Sequence, residues 1–229
     1  MENLLLKYLG KDFNTRETGP VSCDRPFITI SRQCGCPSKL IAQKLADRLN
    51  AHPHQKPAGG WHCINKEVIL EAARELELEP EKVRLLFDAE RRGTLDDILS
   101  SFSSNYKSTV TVLKMIRKVV QTFSSKGYVI LIGRGGVAIT QNCRKALHIR
   151  LQAPVEWRIQ EVSRHQNLSE EDARHLAIET DKKRNAMIEL FLNRKPDDSL
   201  FDLIFNCSRL SPDEIVASTL HVMEMKKMI

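Results

Sequence analysis

A short loop of small residues follows the first β-branched segment of the chain and could bind an anion. The apolar run at 27–30 is followed by the sequence CGCPSK at 34–39 and by an alanine- and leucine-rich helical pattern at 40–49. Strand, tight loop and helix in this order direct backbone N–H groups and a helix N-terminus at a phosphate group. The sequence therefore predicts a cradle for the phosphates of ATP, formed by Arg32, Gly35, Cys36, Pro37, Ser38 and Lys39.

This loop departs from the full phosphate-loop pattern G-x-x-x-x-G-K-[ST]. The second glycine is absent, Lys39 is the only lysine of the segment, and no Ser or Thr follows it. Pro37 also removes one backbone N–H group from the cradle. A plain strand-to-helix turn, in which Gly35 supplies a positive φ, explains the segment as well as a phosphate site does. Both interpretations stay open from this segment alone.

An arginine stands between glycines after the apolar run at 128–132, in the sequence GRGG at 133–136. Packing alone does not explain an arginine between glycines. Its small neighbours leave space in which a ligand or another backbone can approach closely. We therefore expect Arg134 to bind a phosphate or a carboxylate rather than to be merely solvated.

Cationic side chains recur through the segment 155–185, including Arg158 and Arg164. Mobile arginines neutralise the charge on a transferring phosphoryl group, so the segment as a whole predicts a lid. For any one of these arginines, an exposed helix with acidic partners is the competing interpretation. Asp181 and Arg184 are three residues apart and share one helical face, where they could hold a polar base or sugar, or form a surface ion pair.

The elements that must position these residues alternate along the chain. Short apolar stretches occur at 27–30, 61–64, 128–132, 146–151 and 201–205, and helical patterns occur at 40–49, 65–78, 81–88, 106–123, 155–165, 169–192 and from 211 onwards. Alternating strands and helices predict a parallel sheet covered on both faces, with ligands outside the carboxyl ends of its strands. Asn65 follows the second stretch, so it is expected at that edge as well as at a helix N-terminus.

Composition fits one soluble globular domain over 26–229, preceded by an arm or tail at 1–25. The chain has 229 residues, of which 41% are hydrophobic and 28% are charged. Apolar runs fall short of the roughly 20 residues that cross a membrane, and the leucines at 4–6 are too few for a signal-peptide core, so a cytoplasmic protein is expected. The net charge of +6 suits either nucleic acid or small phosphate-bearing substrates, but no aromatic residues interleave with a basic stripe, which disfavours nucleic acid.

Six cysteines lie in the chain, and none of them forms a C-x-x-C pair. Cys34, Cys36 and Cys63 with His62 could imitate a metal site, but their spacing fits no common zinc pattern. The sequence therefore predicts no metal site and six reduced, unliganded cysteines, most of them small core or turn residues.

In their order and spacing, these segments resemble the cytidylate kinase-like family of the nucleoside monophosphate kinase fold, within the P-loop kinases. The similarity covers about residues 26–220 and rests on the segments 28–33, 61–67, 129–135, 147–154, 181–184 and 202–211. It implies an α/β, three-layer fold with a five-stranded parallel sheet. It also implies an acceptor-binding helical insertion at 65–125 and a lid at 155–185.

The resemblance further implies transfer of the γ-phosphate of ATP, with Mg²⁺, to a nucleoside monophosphate such as CMP. By motif position, residues 35–39 would hold the ATP phosphates and Arg134 would meet the acceptor phosphate. The remaining implied site residues are Asn65, Asp181 and Arg184 for the acceptor, and Lys39, Arg134, Arg158 and Arg164 for catalysis.

Three departures keep a second hypothesis open. Cytidylate kinases have a lysine where this chain has Ser38, an aspartate where it has Gly135, and an arginine where it has Ala177. Losing one cation from a phosphoryl-transfer site costs several kcal/mol of transition-state stabilisation. The alternative is therefore a catalytically impaired kinase-like protein that senses nucleotides or acts through protein partners. The sequence leaves the acceptor and the oligomeric state open.

Overall fold

Five parallel strands form the centre of the fold in the computed structural model, which describes residues 23–51, 59–65 and 106–229. The strands are β1 (Phe27–Arg32), β2 (His62–Ile64), β3 (Val129–Ile132), β4 (Ala146–Gln152) and β5 (Leu203–Asn206). Their order across the sheet is β2-β3-β1-β4-β5, and each adjacent pair is parallel. This confirms the predicted α/β fold with a five-stranded parallel sheet.

Helices cover both faces of this sheet. They are α1 (Ser38–Asn50), α2 (Tyr106–Lys126), α3 (Gly136–Ile139), α4 (Val155–Gln166), α5 (Glu170–Leu192) and α6 (Pro212–Met225). Ser169 caps α5 by accepting a hydrogen bond from the Asp172 N–H, and Ser211 and Glu214 form a capping box at the start of α6, where the predicted helical patterns begin. The helices predicted at 65–78 and 81–88 lie outside the described residues, apart from Asn65. The insertion at 65–125 and the arm at 1–25 therefore stay predictions.

Both faces of the sheet pack against an apolar core, because side chains alternate along each strand and point to opposite faces. Ile28, Ile30 and Leu147 point to one face, where they pack in an apolar core with α1 and α6. The opposite face carries Thr29 and His148, which are register partners with a Thr29 Oγ1–His148 Nδ1 distance of 2.7 Å. Burial lowers the pKa of His148, so its imidazole stays neutral in the core.

One cysteine pair corrects the prediction of six reduced thiols. Cys23 and Cys143 form a disulfide, whereas Cys34, Cys36, Cys63 and Cys207 are free. The register pairs Phe27 with Ala146, and the two bonded cysteines lie four and three residues before these partners. The strand pairing itself therefore brings them together at the amino edge of the sheet, although they are 120 residues apart in sequence.

Within residues 23–51, 59–65 and 106–229, no helix is long and apolar enough to cross a bilayer.

Candidate functional site

A pocket opens at the carboxyl edge of the sheet, between the ends of β1 and β3 and the second half of α5. Five cationic side chains and one carboxylate line it: Arg32, Arg134, Arg150, Lys183, Arg184 and Asp181. The apolar side chains on its wall include Leu113, Met187, Ile188 and Leu190. The cationic side chains suit an anionic group, and the apolar side chains suit a hydrophobic part of the same ligand.

The turn between β3 and α3 holds Arg134 in this pocket. Gly133, Arg134 and Gly135 all have positive φ, at 74°, 57° and 66°. A Cβ on Gly133 would lie 2.0 Å from Arg32 Nη1, and one on Gly135 would lie 2.3 Å from Phe191 Cδ2. A side chain at 133 would require the Arg32 guanidinium to move, and one at 135 would collide with the Phe191 ring. Phe191 of α5 therefore explains why glycine stands at 135, where cytidylate kinases have an aspartate.

Arg134 itself adopts the left-handed conformation that side-chain-bearing residues rarely use. Such backbone strain costs about 1–3 kcal/mol and clusters at functional sites. The predicted role of Arg134 in anion binding stays a prediction, and this strained conformation in a cationic pocket motivates its test.

The loop between β1 and α1 uses two of its own amides in hydrogen bonds within the loop. The Cys36 N–H donates to the Gln33 carbonyl at 3.3 Å, and the Ser38 N–H donates to the Cys36 carbonyl at 2.8 Å. Pro37, which has no N–H group, precedes α1 without a side-chain cap. This loop therefore presents fewer free donors than a regular phosphate loop, in agreement with its irregular sequence.

Asp181 of α5 contacts this loop directly. Its Oδ1 accepts a hydrogen bond from the Cys34 N–H at 2.7 Å, and its Oδ2 accepts one from Arg158 Nη1 at 2.6 Å. Arg158 also donates from Nε to the Ala153 carbonyl at 3.0 Å and from Nη1 to the Cys34 carbonyl at 3.2 Å. Only 8% of the Arg158 side chain and 18% of the Asp181 side chain are exposed. A carboxylate thus accepts the kinds of hydrogen bond that a bound phosphate would accept at this loop.

Arg184 lies one helical turn further along α5. Its Nη1 donates to the Arg32 carbonyl at 3.2 Å and lies 3.8 Å from Asp181 Oδ1. The predicted Asp181–Arg184 pair on one helical face is therefore present, although Asp181 bonds to the loop as well as lining the pocket. The Nε of Arg184 is buried and has no hydrogen-bond partner among the described residues. A buried donor of this kind fits a pocket whose ligand would supply the acceptor.

Cys36 in the loop is a buried, neutral thiol. A hydrogen bond with the Cys207 thiol, together with burial, raises the pKa of Cys36 well above its ordinary value. The thiolate is the nucleophilic form of cysteine, so Cys36 is suited to packing and not to covalent catalysis.

Not every predicted site residue reaches the site. Lys39 is exposed in the first turn of α1, Arg164 is exposed and pairs with Glu161, and Asn65 is half-buried at the end of β2. None of these three lines the pocket. Arg158, expected in a mobile lid, is instead buried beneath the loop, because Ala153, Cys34 and Asp181 supply acceptors there. Arg32, Arg134, Asp181 and Arg184 do line the pocket.

Sequence reasoning missed two cations of the pocket, Arg150 and Lys183. Arg150 interrupts the apolar run of β4, and that interruption was the available signal. Its guanidinium lies 5.3 Å from the centre of the Phe201 ring and 4.0 Å from Asp198 Oδ1. Lys183 is adjacent to Arg184, but the residues around it give no signal that distinguishes it from an exposed helical lysine.

Comparisons with known proteins agree with this architecture. A solved structure of an uncharacterized protein from Eubacterium ventriosum is 18% identical, covers 88% of this chain and 99% of its own, and has a TM-score of 0.61. A shikimate kinase from Acinetobacter baumannii, solved with shikimate, is 14% identical over 90% of this chain and 97% of its own, at a TM-score of 0.49. No curated protein matches the chain significantly. The cytidylate kinase-like family matches residues 27–209. With its loop after β1 and its parallel β2-β3-β1-β4-β5 sheet, this chain belongs to the cytidylate kinase-like family.

Proposed function

We propose that this protein transfers the γ-phosphoryl group of ATP to a small anionic acceptor, a nucleoside monophosphate of the CMP type or a similar phosphate-bearing molecule. The donor phosphates would bind at the loop 33–39, and the acceptor would bind in the cationic pocket. ATP supplies the phosphoryl group and Mg²⁺ neutralises its charge. The protein supplies positioning and electrostatic stabilisation.

The convergence of five cations on a pocket that adjoins the loop carries this proposal. Ser31 and Arg32 of β1 line the pocket, and so does Gln33, which is the first residue of the loop 33–39. A donor and an acceptor bound in these places would lie on either side of one strand end. In-line phosphoryl transfer requires that closeness, since the attacking oxygen must approach the γ-phosphorus directly.

The loop fits the phosphates of ATP in part. Its Cys34 N–H and the Arg158 guanidinium are donors of the right kind, although both are bonded to Asp181 in this structure. Mg²⁺ in such sites is held largely by substrate phosphates and by one or two carboxylates. Asp181 is a carboxylate that reaches the loop, and it would have to leave Arg158 to serve a cation.

A second candidate function is nucleotide sensing without turnover. Ser38 stands where cytidylate kinases have the loop lysine, and Asp181 bonds to the donors of the loop. A protein with this loop and a cationic pocket could bind an anionic nucleotide and respond through its partners. Binding without phosphoryl transfer would distinguish this function from the first.

The test is a turnover assay with radiolabelled Mg·ATP and a panel of acceptors, combined with calorimetry for each ligand alone. The panel comprises CMP, the other nucleoside monophosphates, and phosphate-free small alcohols such as shikimate. A labelled diphosphate product from one of the monophosphates would support the kinase. Binding of a monophosphate with no labelled product would favour the sensing function. Transfer only to a phosphate-free alcohol would contradict the proposed acceptor class.

A further inference from the structure

We propose that Asp181 inhibits the loop in the ligand-free protein, and that Mg·ATP binds by displacing this carboxylate. The inference rests on the proposed function, because it takes the loop 33–39 as the site of the ATP phosphates. It adds a regulatory step to that site: the protein carries its own competing anion on α5.

The competing anion is held by donors that a phosphate would use. The two carboxylate oxygens of Asp181 take one donor each, the Cys34 N–H at 2.7 Å and Arg158 Nη1 at 2.6 Å. Both partners are buried, so solvent and salt weaken this contact less than they weaken an exposed ion pair. A phosphate chain arriving at this loop would meet like charge at short range while Asp181 remains in place.

Two other amides of the loop are less available to a phosphate than the Cys34 N–H. The Cys36 and Ser38 amides are already bonded to carbonyls within the loop, and breaking those bonds would deform its backbone. The Cys34 N–H differs, because its partner is a side chain that can rotate away without moving the loop. If a phosphate replaces the Asp181 carboxylate, the ligand gains the Cys34 N–H and the Arg158 guanidinium as donors. The loop keeps its conformation in this exchange.

A displaced Asp181 would find another cation nearby. Arg184 Nη1 lies 3.8 Å from Asp181 Oδ1 in this structure, one helical turn along the same face of α5. A change of side-chain rotamer toward Arg184 would keep the carboxylate paired and release Arg158 to the phosphates. The exchange requires no movement of a helix.

The expected size of the effect follows from the population of the displaced state. The apparent dissociation constant equals the intrinsic constant divided by the fraction of molecules that can bind. If Asp181 leaves the loop in a tenth of the molecules or fewer, removing its charge should tighten Mg·ATP binding by about tenfold or more.

The experiment compares three proteins by calorimetric titration with Mg·ATP: the wild type, Asp181→Asn and Glu179→Gln. Asp181→Asn keeps the shape of the side chain and removes its charge. Glu179→Gln makes the same charge change two residues earlier on α5, where the side chain pairs with Lys182 outside the loop. We expect at least about tenfold tighter binding for Asp181→Asn and unchanged binding for Glu179→Gln. A merely structural role would instead lower the melting temperature of Asp181→Asn without tightening its binding.

Binding to Asp181→Asn that equals or is weaker than wild-type binding would overturn the inhibition and leave the proposed function standing. An absence of Mg·ATP binding in all three proteins at millimolar concentration would overturn the inhibition and the assignment of the loop together. If Asp181→Asn does not fold, the wild type labelled with ¹⁵N-cysteine provides a second measurement. Saturation with Mg·ATP should shift the Cys34 amide resonance, and an unshifted resonance at saturation would refute the displacement.

Discussion

The backbone of Gly35 lies directly against the backbone of Arg158. A Cβ added to Gly35 would be 2.8 Å from the Arg158 carbonyl oxygen and 3.0 Å from its Cα. The first turn of α4 therefore covers the loop, and the absence of a side chain at Gly35 is what permits the approach. This contact links the loop to the residue whose guanidinium holds Asp181.

Gly35→Ala should lower the free energy of unfolding, because it adds a collision with backbone atoms to the strain of a φ of 91°. Gly59→Ala is the matched control: its φ is 109°, but nothing lies within 4 Å of the added Cβ. We expect both variants to lose about 1–3 kcal/mol from strain, and Gly35→Ala to lose more than Gly59→Ala. Urea denaturation measures both values. Equal losses would show that the loop and α4 separate at little cost.

Substitutions at Arg134 should separate anion binding from backbone strain. Arg134→Ala and Arg134→Gly both remove the guanidinium, so turnover of the acceptor should fall about 10²–10³-fold in each, as for the loss of one charge-stabilising donor. Only the glycine variant relieves the positive φ of 57°, and it should be more stable than the alanine variant by about 1 kcal/mol. Kinetics and denaturation of the two proteins provide the measurements.

Arg144→Ala is the control for the Arg134 variants, since this arginine is exposed in the turn before β4. It should keep the activity of the wild type. An Arg134→Ala variant as active as Arg144→Ala would remove Arg134 from the acceptor site.

The stability of the protein should fall as the pH drops below neutrality because of His148. Burial holds the pKa of this imidazole below its ordinary value of 6.5 in the folded protein, although the nearby Asp202 acts in the opposite direction. The unfolded chain therefore binds more protons near pH 6.5, and the free energy of unfolding decreases as the pH falls from that value through the folded pKa. The free energy of unfolding, measured by denaturation in steps of about half a pH unit from about pH 7.5 to about pH 5, gives this slope.

His148→Gln should flatten this pH dependence, whereas His221→Gln should leave it unchanged, because 73% of the His221 side chain is exposed. If His148→Gln has the same pH dependence of the free energy of unfolding as the wild type, other groups cause the acid sensitivity.

The Cys23–Cys143 disulfide should stabilise the fold by closing a long loop in the unfolded chain. The two residues are 120 positions apart, and disulfides that close loops of this kind contribute about 2–4 kcal/mol. The variant carrying Cys23→Ser and Cys143→Ser should therefore unfold at a lower denaturant concentration by the corresponding amount. Wild-type protein treated with a reductant should behave like this variant, and identical stability of all three samples would contradict the bond.

The strands could be predicted from the sequence to within about two residues, because buried parallel strands appear as continuous apolar runs. The apolar run at 128–132 became β3 (Val129–Ile132), and Ser169 and Ser211 marked the starts of α5 and α6. These signals are local. A cap or a buried run depends on neighbours within a few residues, so the amino-acid order alone contains it.

The direction of individual side chains depended on contacts that are distant in sequence. Asp181 reaches Cys34 only because α5 packs against α4, and the two residues are 147 positions apart. Arg150 enters the pocket because of its register with Ser31 on the neighbouring strand. The Cys23–Cys143 bond likewise follows from the pairing of β1 with β4, which no spacing rule for cysteines contains. Tertiary packing determined each of these three relationships.

One helix, α5, contacts the loop after β1, the end of β1 and the turn after β3. Asp181 bonds to the loop, Arg184 bonds to the end of β1, and Phe191 packs against Gly135 in the turn that carries Arg134. These three residues belong to one rigid helix, in which successive positions rise by about 1.5 Å. A mutational scan along α5 should consequently give correlated changes in the affinities for the proposed donor and acceptor.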